Sequence, residues 1–222
     1  MINMNKLIKS KVTEKTKVKR LPKRAVYDFE KIAEILDSSF VCHIGFSINR
    51  QPFVIPTCFG RKDDETFFHG AKTSRMLEHI KSGSEICITV TLVDGIVLAR
   101  SAFHHSINYR SVILFGKAKE LNDPFEKTDA LKIITEHIIP GRWSDTRKPN
   151  EKELNATTVF SLKINEVSAK VREGGPVDEK EDMELNVWAG VLPVKIVPGK
   201  PVSDPKLNGN ISLPGYIKNY KF

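Results

Sequence analysis

The chain has few cysteines, no long apolar run and none of the common nucleotide or metal signatures. Its three cysteines, Cys42, Cys58 and Cys87, show no CxxC spacing and fall in segments that read as strands. They therefore read as small buried apolar residues rather than metal ligands or a disulfide framework. The longest apolar stretch, Ile86–Ala99, is broken by Asp94-Gly95 and is too short to span a bilayer. No apolar segment follows the basic residues near the N-terminus, so no secretory leader is read there. These absences predict a cytoplasmic protein with no membrane span. GxGxxG, the P-loop and HExxH are all missing, which removes the most direct dinucleotide, nucleoside-triphosphate and zinc-hydrolase readings. No internal repeat is present.

What is there is ordinary soluble composition. The 222 residues are 40% hydrophobic and 28% charged, enough for one sizeable core. The net charge of +8 is local. Residues 1–24 hold nine Lys and Arg against one acid, Glu14, which is the whole excess. Such an arm suits phosphates or an anionic membrane. It lacks interleaved aromatics, however, and a flexible, solvated arm is the expectation, with no nucleic acid and no membrane as partner. Residues 25–222 are expected to form a single domain.

Order is expected from about Val26. Asp28 is placed to cap a helix with Phe29, Ile32, Ala33 and Leu36 on one face. The period then changes to that of strands at Phe40–Ser47, Phe53–Phe59, Glu65–His69, Glu85–Val93, Ile96–Ser101 and Ser106–Leu121. Asp94-Gly95 reads as a hairpin turn, which makes the sheet at least partly antiparallel. Asp123, Pro124 and Glu126 form a capping-box pattern before a helix that ends ahead of Pro140-Gly141. Residues 157–172 return to strand, and the tail from Pro198 reads as irregular. Many short strands with few helices predict a mainly β fold, a closed barrel rather than a doubly wound sheet.

The segment 52–76, PFVIPTCFGRKDDETFFHGAKTSRM, carries the clearest chemistry. Two strands joined at Arg61–Asp64 lead through Gly70 and Ala71 to Thr73-Ser74-Arg75, which opens a short helix. Unpaired N–H groups at that start, the helix dipole and the Arg75 fork all suit an anion. The plain alternative is that Thr73 or Ser74 caps the helix and Arg75 is merely solvated.

This segment, together with VCHIGF (41–46), VTLVDGIVLARSAFHHSINYRSVILFGKA (90–118), IIPGRW (138–143), SAKVREGGP (168–176) and VWAGVLPV (187–194), resembles the flavin-binding split-barrel proteins related to pyridoxamine 5'-phosphate oxidase. The nitroimidazole-resistance reductases are the most similar subgroup. The resemblance implies an antiparallel, Greek-key type six-stranded split barrel that pairs as a homodimer, with FMN at the subunit interface. It also implies an FMN-dependent oxidoreductase, a reductase of a small organic acceptor that draws on NAD(P)H. The backbone of Val54, Ile55, Pro56 and Thr57 would lie along the flavin ring. Ser74, Arg75 and Arg110 would lie near the phosphate, Gly70 would bind the cofactor beside them, and Asn108, Tyr109, Arg110 and Ser111 would border it. Lys170 and Arg172 are further candidates. For Arg110 the alternative is a strand charge paired with an acid. Trp188 would stack near the ring or across the dimer interface, a core position being the alternative.

His69 matches a histidine near the cofactor and substrate pocket of the nitroimidazole reductases, which implies a catalytic role as proton donor. The alternative is a strand-end histidine bonded to backbone. His104 and His105 would face opposite sides if both lay in a strand, and no metal site is expected. Related split barrels also carry haem, which would need an axial ligand such as His69, His104 or His105. A flavin-binding module without turnover is the third reading. The tail KLNGNISLPGYIKNYKF does not match the substrate-binding end of the true oxidases.

Overall fold

The computed structural model describes residues 12–209 and 211–220. Of the arm expected over 1–24, residues 1–11 lie outside the described residues. The rest of it is laid against the body: Thr16 is 2% exposed, and the Val18 N–H donates to the Tyr27 hydroxyl at 2.9 Å. One 3-10 turn at Pro22–Arg24 leads into a two-residue strand, β1 (Ala25–Val26). Helix α1 (Phe29–Asp37) follows, capped as expected by the Asp28 carboxylate, which accepts from the Lys31 N–H. Its buried stripe is Ile32, Ala33, Ile35 and Leu36, the face a 3.6-residue period presents to a core.

Strands β2 (Val41–Ile48), β3 (Gln51–Lys62) and β4 (Glu65–Ala71) form a meander, and α2 (Arg75–Lys81) follows. Then come β5 (Glu85–Leu98), β6 (Ser106–Lys117) and β7 (Lys119–Leu121), and helices α3 (Pro124–Ile138) and α4 (Glu151–Ala156). Strands β8 (Thr157–Lys163), β9 (Glu166–Arg172) and β10 (Gly190–Pro193) and helix α5 (Gly215–Lys218) complete the chain. The sheet runs β1-β9-β6-β5-β2-β3-β4-β8-β7, with β10 also on β5, and its ladders are antiparallel. It has ten strands where six were expected. β8 and β9 are joined by only two residues, yet one pairs with β4 and the other with β6. The two ends of the sheet thus meet at that turn without bonding to each other, which makes the barrel split. Phe160 from β8 and Val167 from β9 share one core with Phe59, Phe68, Ile44, Ile88 and Leu114.

Three expectations are corrected. Asp94-Gly95 is not a hairpin turn: β5 runs through it, with a register shift between Val93 and Gly95. The extra residue inverts which side chains face inward, so Ile86, Ile88, Val90 and Leu92 are buried before it and Val97 after it. Glycine is required there because a Cβ at Gly95 would lie 2.9 Å from Val191 Cγ1, where β10 closes on β5. Residues 157–172 form two strands rather than one. The long strand expected over 106–121 is interrupted at Ala118.

Helix α3 lies on the opposite face of the sheet, over a second cluster of Phe67, Leu121, Ala130, Ile134 and Val159. Asp123 caps it through the Phe125 and Glu126 N–H groups, and a full capping box occurs instead at α4, between Asn150 and Glu153. The helix approaches β3 so closely that a Cβ at Gly60 would lie 2.8 Å from Ile134 Cα and 2.9 Å from its nitrogen. Backbone cannot give way as a side chain can. Gly60→Val is expected to lift α3 from the sheet and to destabilise the protein by about 1–3 kcal/mol, read as a lower urea midpoint. An unchanged midpoint would mean that α3 is not seated as described.

Candidate functional site

Strands β3 and β4 are bonded from Lys62–Glu65 only as far as Phe59–Phe68. Beyond that rung they part, and Cys58 and His69 are the first residues on either side of the opening. From Val41–Cys58 to Ile48–Gln51, β3 remains paired to β2 on its other edge. The backbone of residues 53–57 therefore keeps one edge without a strand, and Pro56 removes one donor from it, consistent with an edge position. Ile55 turns inward onto the core, while Val54 points out and is 67% exposed. The four β3 residues predicted from the sequence, Val54, Ile55, Pro56 and Thr57, thus form one wall of a wedge.

The other wall is the end of β4 and the start of α2. Gly70 lies close to Leu77, whose Cδ1 would be 3.0 Å from an added Cβ. Ser74 occupies the N-cap of α2, but its side chain makes no capping hydrogen bond, so the plain capping alternative is not what the structure has. Arg75 is exposed, with its guanidinium carbon 4.4 Å above the Phe53 ring. Phe53 stacks on Phe46 at 5.3 Å, and Phe46 meets His79 at 5.6 Å. Arg75 and His79 are four residues apart on α2, so one helix face rests on the aromatic pair of the β2–β3 hairpin. A cation over an aromatic face contributes about 0.5–1 kcal/mol at an exposed site. Arg75 has no ion-pair partner among the described residues, so its N–H donors remain uncommitted to an acid. Sequence reasoning missed Phe46, Phe53 and His79, although the four-residue spacing of Arg75 and His79 was a signal for them.

His69 stands at the mouth of the wedge, opposite Val159 of β8. Its Nδ1 is buried and has no hydrogen-bond partner, so the strand-end alternative with a backbone bond is not realised at that atom. Burial pushes its pKa below the usual histidine value, which favours the neutral ring. His104 and His105 are otherwise engaged: His104 faces Glu179 at 3.6 Å, and His105 Nδ1 lies 3.0 Å from the Ser101 carbonyl.

The β6 group is separate. β6 lies three strands from β3 in the sheet order, about 14 Å away. Tyr109 and Ser111 share one face with Lys170 and Arg172 of β9. Arg110 faces the other way and is bonded bidentately to Asp94 at 2.8 and 3.0 Å. That pair holds its pKa above the ordinary arginine value. The alternative weighed for Arg110, a strand charge paired with an acid, is present here, with Asp94 at the bulge as the acid. Asn108 buttresses the neighbouring loop, its side chain bonding Arg172 and the Gly174 carbonyl. Trp188 is not in the core, the alternative weighed for it; it is 67% exposed and lies against Gly190.

Among the described residues no group of three or more side chains is arranged for a metal ion. Nor is any helix among them long and apolar enough to cross a membrane.

The family model described as pyridoxamine 5'-phosphate oxidase matches residues 28–171, which spans every strand that builds the wedge. The chain belongs to this family. Among solved structures it is similar to the flavocytochrome Anf3 from Azotobacter vinelandii, at 38% identity and a TM-score of 0.89, over 94% of this chain and 97% of that one. It is also similar to the FAD and heme binding protein from Mycobacterium smegmatis, at 33% identity and a TM-score of 0.85, over 88% and 96%. A putative 5-nitroimidazole antibiotic resistance protein from Bacteroides thetaiotaomicron shares the fold at 24% identity and a TM-score of 0.57, over 66% of this chain and 86% of that one. No curated protein matches the chain.

The buried, neutral state of His69 has a consequence for pH dependence. An unfolded His69 takes up a proton below about pH 6.5, while the folded ring resists it. This contribution to stability is therefore complete above that pH and is lost as pH falls through the lower, folded value. Stability measured by urea melts at about pH 7.5 and about pH 5 is expected to fall less in His69→Gln than in the parent. Equal losses in both would show that the ring is not held neutral by burial.

Proposed function

We propose that this chain is a flavin-dependent oxidoreductase that uses the β3–β4 wedge to hold the flavin. The observation that carries the reading is the wedge itself, an unpaired strand edge beside an uncapped helix start and an arginine without a carboxylate partner among the described residues. The fit is good in kind. Backbone N–H and C=O groups of residues 53–57 match the donor and acceptor edge of a flavin ring. The Ser74 hydroxyl, the first N–H groups of α2 and the Arg75 fork match a phosphate. Two relatives above 30% identity support it, one a flavocytochrome and the other a protein that binds FAD and heme.

The wedge residues serve the ring, ribityl chain and first phosphate, a portion that FMN and FAD share. FMN was the expectation from the sequence, whereas the relative that names its flavin is an FAD protein. When bound, the flavin supplies hydride or single-electron transfer, with NAD(P)H as the proposed donor, and the protein supplies orientation. Arg75, fixed by its stacking on Phe53, orients the phosphate and offsets its charge. Val54 and Pro56 shield one side of the ring from water. The exposed apolar side chains Val54 and Val93 on the outer sheet face suit a homodimer. That pairing would bring the β6 group of one copy toward the wedge of the other. The free cysteines Cys42, Cys58 and Cys87 suit a cytoplasmic, reducing compartment.

His69 favours a second group. A neutral imidazole is a poor proton donor at neutral pH but is the form that ligates iron, and with Nδ1 buried the ligating nitrogen would be Nε2. Both of the more similar relatives are haem proteins by name. We therefore read His69 as the candidate axial ligand of a haem held beside the flavin.

The absorption spectrum of the purified protein tests both parts, with flavin bands and a Soret band expected. Arg75→Ala is expected to weaken flavin binding by about one to two decades, the loss of a charge-assisted contact, measured by fluorescence titration. Unchanged affinity would remove Arg75 from the site. His69→Ala is expected to abolish the Soret band while flavin content persists. A retained Soret band would return His69 to the scaffold.

A further inference from the structure

Residues 13–20 cross the outer face of β6 and β9. A turn holds them there, with the Lys17 N–H donating to the Thr13 carbonyl at 2.9 Å and the Thr13 N–H to Thr16 Oγ1 at 2.8 Å. Between this segment and the sheet lies a cleft of about 270 Å³. Its floor is Ile113 and Phe115, its polar sheet side Ser111, Ser168 and Lys170, and its segment side includes Lys17 and Arg20.

The charges in the cleft are unbalanced. Lys15 is paired with Glu85 and Glu166, and Lys19 with Glu14. Lys17, Arg20 and Lys170 have no ion-pair partner among the described residues. Outside the cleft lining, one step beyond Lys170 on the same face, is Arg172, only 6% exposed. Its guanidinium donates to neutral acceptors alone, the Asn108 side chain and the carbonyls of Gly174 and Gly175, and its Nε is buried without a partner. Burial, then the nearby Arg24, push its pKa below the ordinary arginine value. A cation desolvated among other cations is costly unless an anion completes it.

We propose that this cleft binds the adenosine diphosphate portion of a dinucleotide. Two adjacent phosphates match the unpaired cations Lys17, Arg20 and Lys170 that line it. Ribose hydroxyls match Ser111 and Ser168, and a flat base matches the apolar floor, which a bare phosphate would leave uncovered. The portion has two sources, FAD and a nicotinamide dinucleotide. The first rests on the flavin reading above; the cleft itself does not. Its cations come from the N-terminal segment and β9, away from the wedge on β3 and α2.

Isothermal titration of the full-length protein with ADP, FMN, FAD and NADPH tests this, beside the double variant Lys17→Ala/Arg20→Ala. Both positions are exposed, so folding is expected to be unaffected, with an unchanged melting temperature as the check. ADP is expected to bind, and the variant to weaken it at least about tenfold. If FAD is the source, FAD weakens by the same factor while FMN holds. If the source is the nicotinamide dinucleotide, NADPH weakens while both flavins hold. ADP binding that responds to the variant, with neither flavin bound, would sink the flavin reading and keep the cleft. No ADP binding at millimolar concentration would overturn the proposal. So would binding untouched by the variant, or inorganic phosphate competing as well as ADP.

Discussion

Phe59 and Phe68 face one another at the last rung that joins β3 to β4, and both are fully buried in the barrel core. Burying two rings of this size contributes a few kcal/mol, so the rung is firmly fixed. Beyond it the demands on the two strands diverge. β3 must stay with β2, whose partners run to Ile48–Gln51, while β4 must stay with β8, whose partners run to Ala71–Thr157. A strand bonded on both edges to departing neighbours cannot keep all three, and the β3–β4 ladder is the one that yields. The opening at Cys58 and His69 is a consequence of the barrel being split, not a separate device.

Three arginines show how neighbours, rather than residue type, decide what a cation can do. Arg110 meets Asp94 across the bulge and is neutralised at the surface, worth about 0.2–1 kcal/mol for an exposed pair. Arg75 finds an aromatic ring instead, which leaves its charge without an acid partner. Arg172 finds only neutral oxygens and is buried. A pair with an acid consumes a charge, whereas stacking and carbonyl contacts preserve it. The latter two arginines therefore keep the capacity to meet an anion, and they lie on different elements, α2 and β9.

Much of this architecture was legible in the sequence. The alternation in Phe40–Ser47 and Phe53–Phe59, and the caps at Asp28 and Asp123, are local signals that tertiary contacts reinforce. Where the reading failed, a local signal had two physical outcomes. Asp94-Gly95 is compatible with a hairpin or a bulge, and only the continuous pairing of β5 with β6 chooses between them. Once the bulge is known, Asp94 falls beside Arg110 and the ion pair follows, so one misread turn also hid that pair. Of the site, Val54–Thr57, Gly70, Ser74 and Arg75 were placed together because they are contiguous across one turn. The aromatic support under Arg75 and the Arg172 cluster depend on register across several strands, which no single segment encodes.

His69 belongs to both accounts. Its position follows from the parting of β3 and β4, and its protonation state follows from the burial that comes with that position. A histidine one rung further into the ladder would be sealed in the core, and one on the open edge would titrate as it does in water. At the boundary the ring is desolvated enough to stay neutral, yet its residue remains only partly buried. A neutral ring offers one lone pair and one N–H, so whatever meets it must accept a hydrogen bond or take a donated electron pair. Proton transfer to a substrate would need a ring that is charged beforehand, and the low folded pKa opposes that. The same desolvation that lowers its pKa keeps the His69 ring neutral, with a free lone pair, at neutral pH, which ties its chemistry to the split in the barrel.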